Sequence, residues 1–225
     1  AQGLMYRGQF DAAVAELDGW QGAPEWTGYG QFNLGVALVR AGREERGLQL
    51  LDAVGTLVTE NPELIALRDK ANVAIGYASL QAGRPAAARL ALNRVQLAGS
   101  QSSKALLGAG WADAAEGGFQ NALVPWLELH GRAVQDGAVQ ESYLAVPYAY
   151  AELGAIGEAV QFYEQAIASY DAERLRIDES IAAIRAGRLL QAALAAESDG
   201  RQGWFGQLAS VPDSPESRYL YHLMA

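Results

Sequence analysis

Apolar positions recur at helical spacing along almost the whole chain. Phe32, Leu34, Val36, Leu38 and Val39 share a segment that runs up to Gly42, and Val73, Ile75, Tyr77 and Leu80 do the same ahead of Gly83. Beyond such glycines the pattern resumes, with Leu48, Leu50, Leu51, Val54, Leu57 and Val58 in one case and Val160, Phe162, Tyr163 and Ile167 in another. Alternating β-branched runs bounded by turns do not occur, so no strand is predicted. The chain therefore reads as all-α, a series of helices paired across short turns.

The pairs repeat. A glycine followed five positions later by a small residue occurs as Gly8 and Ala13, Gly42 and Gly47, Gly83 and Ala88, Gly117 and Ala122, Gly154 and Ala159, and Gly187 and Ala192. Successive glycines are 34, 41, 34, 37 and 33 residues apart, a period near 34. Glycine ends the first helix of each pair because it accepts the left-handed backbone that a tight helix stop requires. The small residue lets the second helix approach the first closely. A single pair cannot bury both of its faces, so the copies are expected to stack.

These copies resemble tetratricopeptide repeats. The second carries Leu34-Gly35, Leu38, Gly47, Leu51 and Asn61-Pro62. The third carries Ile75-Gly76, Ala88, Leu92 and Val95, and the fourth Gly110, Ala122, Trp126 and Leu129. In the fifth, Tyr150, Ala159, Tyr163 and Ala166 match, while Pro147 stands where the family prefers glycine. The sixth departs further, with Ser180 and Ala183 at motif positions. The resemblance covers residues 1–198 and implies a right-handed superhelical solenoid of about five to six antiparallel helix pairs. It also implies a concave groove lined by the first helices, which in this family takes peptides or protein segments.

The two ends depart from the frame. Only seven residues precede Gly8, so the first helix is expected at half length. Residues 199–225 read as a connector rich in Gly and Pro followed by a helix start, with Ser214 as N-cap and Pro215 in the first turn. The apolar residues Tyr219, Leu220, Tyr221, Leu223 and Met224 are expected of a piece of a longer array, or of a segment that packs back on the last helices.

Charge narrows the partners. The 225 residues carry 26 Asp plus Glu against 17 Lys plus Arg, a formal charge of −9. Such a chain is repelled by phosphate backbones and anionic lipid, so neither nucleic acid nor a membrane surface is the expected partner. No stretch is long and apolar enough for a membrane span. There is no cysteine, hence no disulfide, thiol nucleophile or cysteine-bound metal, and the two histidines are too few for a histidine metal site. No cofactor is called for. Absence of cysteine, an Ala-Gln start and an acidic, Ala-rich composition fit an exported or periplasmic bacterial protein whose leader has been removed, with the cytoplasm as the alternative.

Candidate chemistry is sparse. His130 closes a predicted helix, where a cation interacts favourably with the C-terminus, and His222 lies in the last predicted helix. The acidic pairs Glu44-Glu45, Asp171 with Glu173, and Asp178-Glu179 read as solvated helix positions. Asp113 replaces a large apolar residue of the repeat pattern; a buried acid there would be the starting point for a hydrolase, a remote alternative. Gly28-Tyr-Gly30 and Gly108-Ala-Gly110 lack the rest of a phosphate loop and read as close-packing positions.

The predicted groove says more. Projected on a common frame, its lining comprises Tyr29, Phe32, Asn33, Val36 and Arg40, then Lys70, Val73, Tyr77 and Gln81, then Lys104, Leu107 and Trp111. Glu141, Leu144, Tyr148 and Glu152 follow. One equivalent position holds Val36, Tyr77, Trp111 and Tyr148 in turn, an aromatic stripe suited to anchoring a peptide. The alternative is that these rings pack between helices. Some members of the family clamp a chaperone's C-terminal carboxylate. Asn33 and Lys70 match two of its five groups, but Ala74 replaces an arginine and Gln2 stands near the first-repeat ligands, so that function is not expected. The reading is a non-enzymatic scaffold or adaptor for a protein segment, with self-association through the terminal faces as the alternative.

Overall fold

The computed structural model describes residues 1–20 and 22–187. Ala192, Ser214, Pro215 and His222, and with them the predicted connector and last helix, lie outside the described residues. Ten α-helices and no strand are found among those described. They are α1 (Gln2–Tyr6), α2 (Phe10–Asp18), α3 (Thr27–Arg40), α4 (Glu44–Gly55), α5 (Pro62–Gln81), α6 (Pro85–Leu92), α7 (Ser102–Ala115), α8 (Phe119–His130), α9 (Gly137–Glu152) and α10 (Ile156–Arg185), with a 3₁₀ turn at Pro24–Trp26 ahead of α3. The architecture is an all-α helical repeat.

Each turn glycine does what its place in the repeat requires. Gly8, Gly42, Gly83, Gly117, Gly154 and Gly187 all have φ between 67° and 79°, the left-handed region. At the second turn the Gly42 N–H donates to Val39 O at 3.1 Å and the Arg43 N–H to Leu38 O at 2.8 Å, which satisfies the last carbonyls of α3. The turns at Gly83 and Gly154 repeat this pair of bonds. Starts are handled less uniformly. Asn61 caps α5 by accepting from the N–H groups of Glu63 at 2.8 Å and Leu64 at 3.4 Å, with Pro62 in the first turn.

The described residues form two compact units, one of residues 1–125 and one beginning at residue 126, whose boundary falls at Pro125 inside α8. In the first unit α3 packs on α4, α4 on α5, α5 on α6 and α6 on α7, while each first helix also meets the next, α3 with α5 and α5 with α7. This is the contact pattern of stacked helical hairpins. Three apolar clusters follow one another along it. Ala13, Val14, Ala37 and Leu38 form the first; Leu51, Val54, Leu67, Ala71 and Ile75 the second; Ala88, Leu92, Val95, Ala105 and Ala109 the third. Fully burying such a Leu or Val side chain contributes about 1.5–3 kcal/mol.

Glycine and alanine bring the helices together. A Cβ on Gly76 would lie 2.4 Å from Leu92 Cγ and one on Gly108 2.9 Å from Leu92 Cδ1, so both glycines make room for the same leucine. In the second unit α9 packs on α10, and Pro147 is buried inside a continuous α9.

The repeat frame expects a break between the second helix of copy five and the first helix of copy six. The structure has none: α10 runs 30 residues from Ile156 to Arg185. Earlier junctions contain a helix breaker, such as Asn61-Pro62, Gly99 or Gly131, whereas residues 158–186 hold neither Gly nor Pro.

Candidate functional site

The first-helix surface of the first unit is built on α3, α5 and α7. On α3, Tyr29, Phe32 and Val36 are half-buried and pack against the cluster of Leu51, Leu67 and Ile75, leaving part of each side chain in solvent. Asn33 is half-buried. Arg40, at the end of α3, is exposed, and its guanidinium carbon lies 5.0 Å from the centre of the Phe10 ring, a cation–π contact.

Tyr77 on α5 is half-buried against Ala88, Leu92 and Ala109, and its hydroxyl donates to the Lys104 carbonyl at 3.0 Å. That bond fixes the ring between α5 and α7. A Cβ on Gly108 would come within 3.3 Å of the same ring, so the glycine leaves space for it. Lys70 is half-buried on α5, Lys104 is exposed at the start of α7, and Trp111 is half-buried on α7. Leu107, projected to the same lining, is instead buried at 5 % exposure, held inside by the close approach of α7 to its neighbours.

Val36, Tyr77, Trp111 and Tyr148 each stand six residues before a turn glycine. The first three belong to the first unit. Tyr148 belongs to the second, where it is 37 % exposed on α9 beside exposed Glu141, Leu144 and Glu152.

Two aromatic residues escaped the sequence reading. Trp20 and Trp26, in the linker ahead of α3, are about half exposed. Trp26 lies 5.6 Å from Tyr29, and a Cβ on Gly30 would sit 2.8 Å from the Trp20 ring. The linker thus continues the ring surface past Tyr29. The available signal was two tryptophans in a segment rich in Gly and Pro, where nothing in a helical frame assigns them a core position.

Another face of the first unit is rimmed by arginines. A cleft of about 990 Å³ lies between α4 and α6, with Arg43, Arg46, Arg84 and Arg94 at its edges. Each arginine is held by an acid: Arg43 by Asp11, Arg46 by Asp18, Arg84 by Glu44, and Arg94 by Asp52 at 2.6 Å. These pairs tie the second helices of copies one, two and three together. Glu44, read as a solvated acid, is one of the rungs.

Asp113 does not sit alone in an apolar pocket. Its carboxylate lies 2.6 Å from Arg89 Nη1, and Glu116 reaches the same nitrogen at 3.3 Å. The hydrogen bond from Arg89 to Asp113, with the charge of both acids, raises the guanidinium pKa above its ordinary value. The arrangement is an ion pair between α6 and α7.

His130 differs from its expected role as well. It does end α8, but its ring lies 3.9 Å from Tyr143 and 5.5 Å from Phe162, and Tyr150 stacks on Phe162 at 5.2 Å. Burial lowers the His130 pKa, and a hydrogen bond with Gln165 opposes the shift. The imidazole packs against Tyr143 and Phe162, and its burial disfavours the charged form expected at the helix end. Alongside it Tyr170 donates to Gln140 O at 2.6 Å, and burial followed by the neighbouring Tyr143 raises its pKa.

No protein-family model and no curated protein matches the chain. Among solved structures it is similar to "MamA MSR-1 C2", with a TM-score of 0.56 and 20% identity over 76% of this chain and 92% of that one. A structure of a MamA point mutant is similar at a TM-score of 0.52 and 21% identity, over 73% and 90% of the two chains. The fold is TPR-like. MamA is a TPR-like protein, and the likeness extends over most of the described helices. Among the described residues no helix is long and apolar enough to cross a membrane.

Proposed function

We propose that the chain is a protein-interaction scaffold whose first-helix surface receives a segment of another protein. The observation that carries this reading is the set of partly exposed residues at one repeat position, Val36, Tyr77 and Trp111, with Tyr77 held in place by its bond to the Lys104 carbonyl. Rigid aromatic side chains give large contact area at small entropic cost, as peptide-binding surfaces require. Tyr29 and Phe32, with Trp20 and Trp26 beyond them, extend the apolar contact, and Asn33, Lys70, Lys104 and Arg40 orient a polar or acidic segment. Tyr148, at the same repeat position in the second unit, is an exposed ring on a surface of its own.

The reading is non-enzymatic. Asp113 is committed to Arg89, and His130 packs against Tyr143 and Phe162. The partner class is protein or peptide, consistent with the net charge of −9, which disfavours nucleic acid.

The test starts with capture of partners from the native cell extract by the wild-type chain, followed by titration of the identified segment against Trp111→Ala and Tyr29→Ala. Binding should weaken at least tenfold for Trp111→Ala while helix content stays unchanged. Equal affinity for wild type and both variants would overturn the reading.

A further inference from the structure

Among the described residues, the continuous helix α10 leaves uncovered a surface that the earlier copies bury. The residue nine positions after the turn glycine is Leu51 in copy two, Leu92 in copy three and Trp126 in copy four, and all three are at most 2 % exposed. In copy five the same position is Tyr163, which is 40 % exposed. Copies two and three meet that position with the first helix of the following copy, as Leu51 meets Leu67 and Ala71 of α5. In copy six the corresponding helix continues straight on from α10, so it cannot fold back onto Tyr163.

The uncovered surface has a second property. Ile156, Val160, Tyr163, Ile167, Tyr170, Arg174, Ile177, Ile181 and Ile184 are separated by alternating steps of four and three residues. That is the 3.5-residue repeat of a coiled-coil seam, kept for the whole length of the helix and interrupted by one arginine. Ile156, Val160 and Ile167 are at least half exposed, and Ile181 and Ile184 are partly so. Tyr170 lies at the edge of the seam, where its hydroxyl donates to Gln140 O of α9, and Ile177 is half-buried.

We infer that α10 pairs antiparallel with α10 of a second copy of this chain. The seam is self-complementary about Tyr170. Reversing the helix sets Ile156 opposite Ile184, Val160 opposite Ile181 and Tyr163 opposite Ile177, and each of these three apolar pairs forms twice about a two-fold axis. Arg174, which pairs with Asp171 of its own helix at 3.1 Å, meets Ile167 of the second copy, with Glu164 of that copy as a further counter-charge. The C-terminal half of each α10 then covers Tyr163 of the other copy, replacing the missing fold-back by exchange of an equivalent element. The pairing goes beyond the scaffold reading and uses none of its residues.

The chain lacks cysteine, so single cysteines report the pairing directly. Val160→Cys protein and Ile181→Cys protein, mixed and oxidised, should give a disulfide-linked heterodimer, and wild type should sediment at twice its mass of 24.0 kDa. Ile167→Glu should return it to monomer with helix content unchanged. Three results would overturn the inference. Wild type could remain monomeric at the highest soluble concentration, or Val160→Cys could link to itself as efficiently as to Ile181→Cys, which marks parallel pairing. The third is an intramolecular disulfide in the double variant, because within one straight α10 these positions are about 30 Å apart and only a helix folded back on itself could join them.

Discussion

Gly35 and Gly47 bring α3 and α4 into backbone contact. A Cβ on Gly47 would lie 2.8 Å from the Gly35 carbonyl oxygen and 2.8 Å from the Val39 nitrogen, and one on Gly35 would lie 3.0 Å from the Gly47 carbonyl oxygen. Backbone cannot yield by changing rotamer. Gly47→Ala gains about 1 kcal/mol of helix propensity but overpacks the contact at about 1–3 kcal/mol. The expected result is a net loss of stability in urea unfolding. Gly157→Ala, where an added Cβ meets nothing within 4 Å, is the control and should stabilise slightly.

Asn72 should be a second sensitive position. Fully buried on α5, it donates to Gly55 O at 2.8 Å and to Arg68 O at 3.1 Å, closing the end of α4 against α5. Asn72→Ala leaves the Gly55 carbonyl without this donor, which costs about 1–3 kcal/mol. Denaturant midpoints should fall accordingly, and Asn72→Leu should be no better than alanine.

Asp113→Ala should destabilise the first unit, since it leaves Arg89 beside Glu116 alone and empties a half-buried site between α6 and α7. Arg89→Lys should retain part of the effect, because an ammonium keeps the charge but loses the guanidinium geometry. Comparing urea midpoints for the two variants and wild type checks the order.

Acidification should weaken the second unit through His130. Its folded pKa is lowered by burial, so between that value and the ordinary 6.5 the unfolded chain binds more protons. Stability is therefore complete above about pH 6.5 and declines as the pH falls below it. His130→Gln should flatten the dependence between pH 7.5 and 5.5, measured by urea unfolding. A wild-type slope equal to that of the variant would contradict the assignment.

The turn glycines could be read from sequence because left-handed backbone is costly for any other residue, and six of them in register leave little choice of fold. The unbroken α10 could not be read the same way. A repeat frame marks where a helix pair is due, but a junction is made by a breaker, and residues 158–186 lack one. Burial was legible only in part. Leu107 and Leu144 share a frame position, yet the first is buried and the second half exposed, because depth depends on how closely the neighbouring helices approach. The arginine pairs were invisible for a different reason: Arg43 and Asp11 are 32 residues apart, Arg94 and Asp52 are 42 apart, and composition names charges without naming their partners.

Those arginine pairs also make the copies distinguishable from one another. Arg43 and Arg84 each follow a turn glycine directly and each reaches back to an acid of the preceding copy, whereas Gly118 and Ala155 occupy that place in copies four and five. The early copies are therefore not interchangeable building blocks. An engineer who shuffled them, or spliced copy four between copies one and two, would keep the hairpin frame but strand Asp11 and Asp18 without a cation. The order of the first three copies is written into their charges.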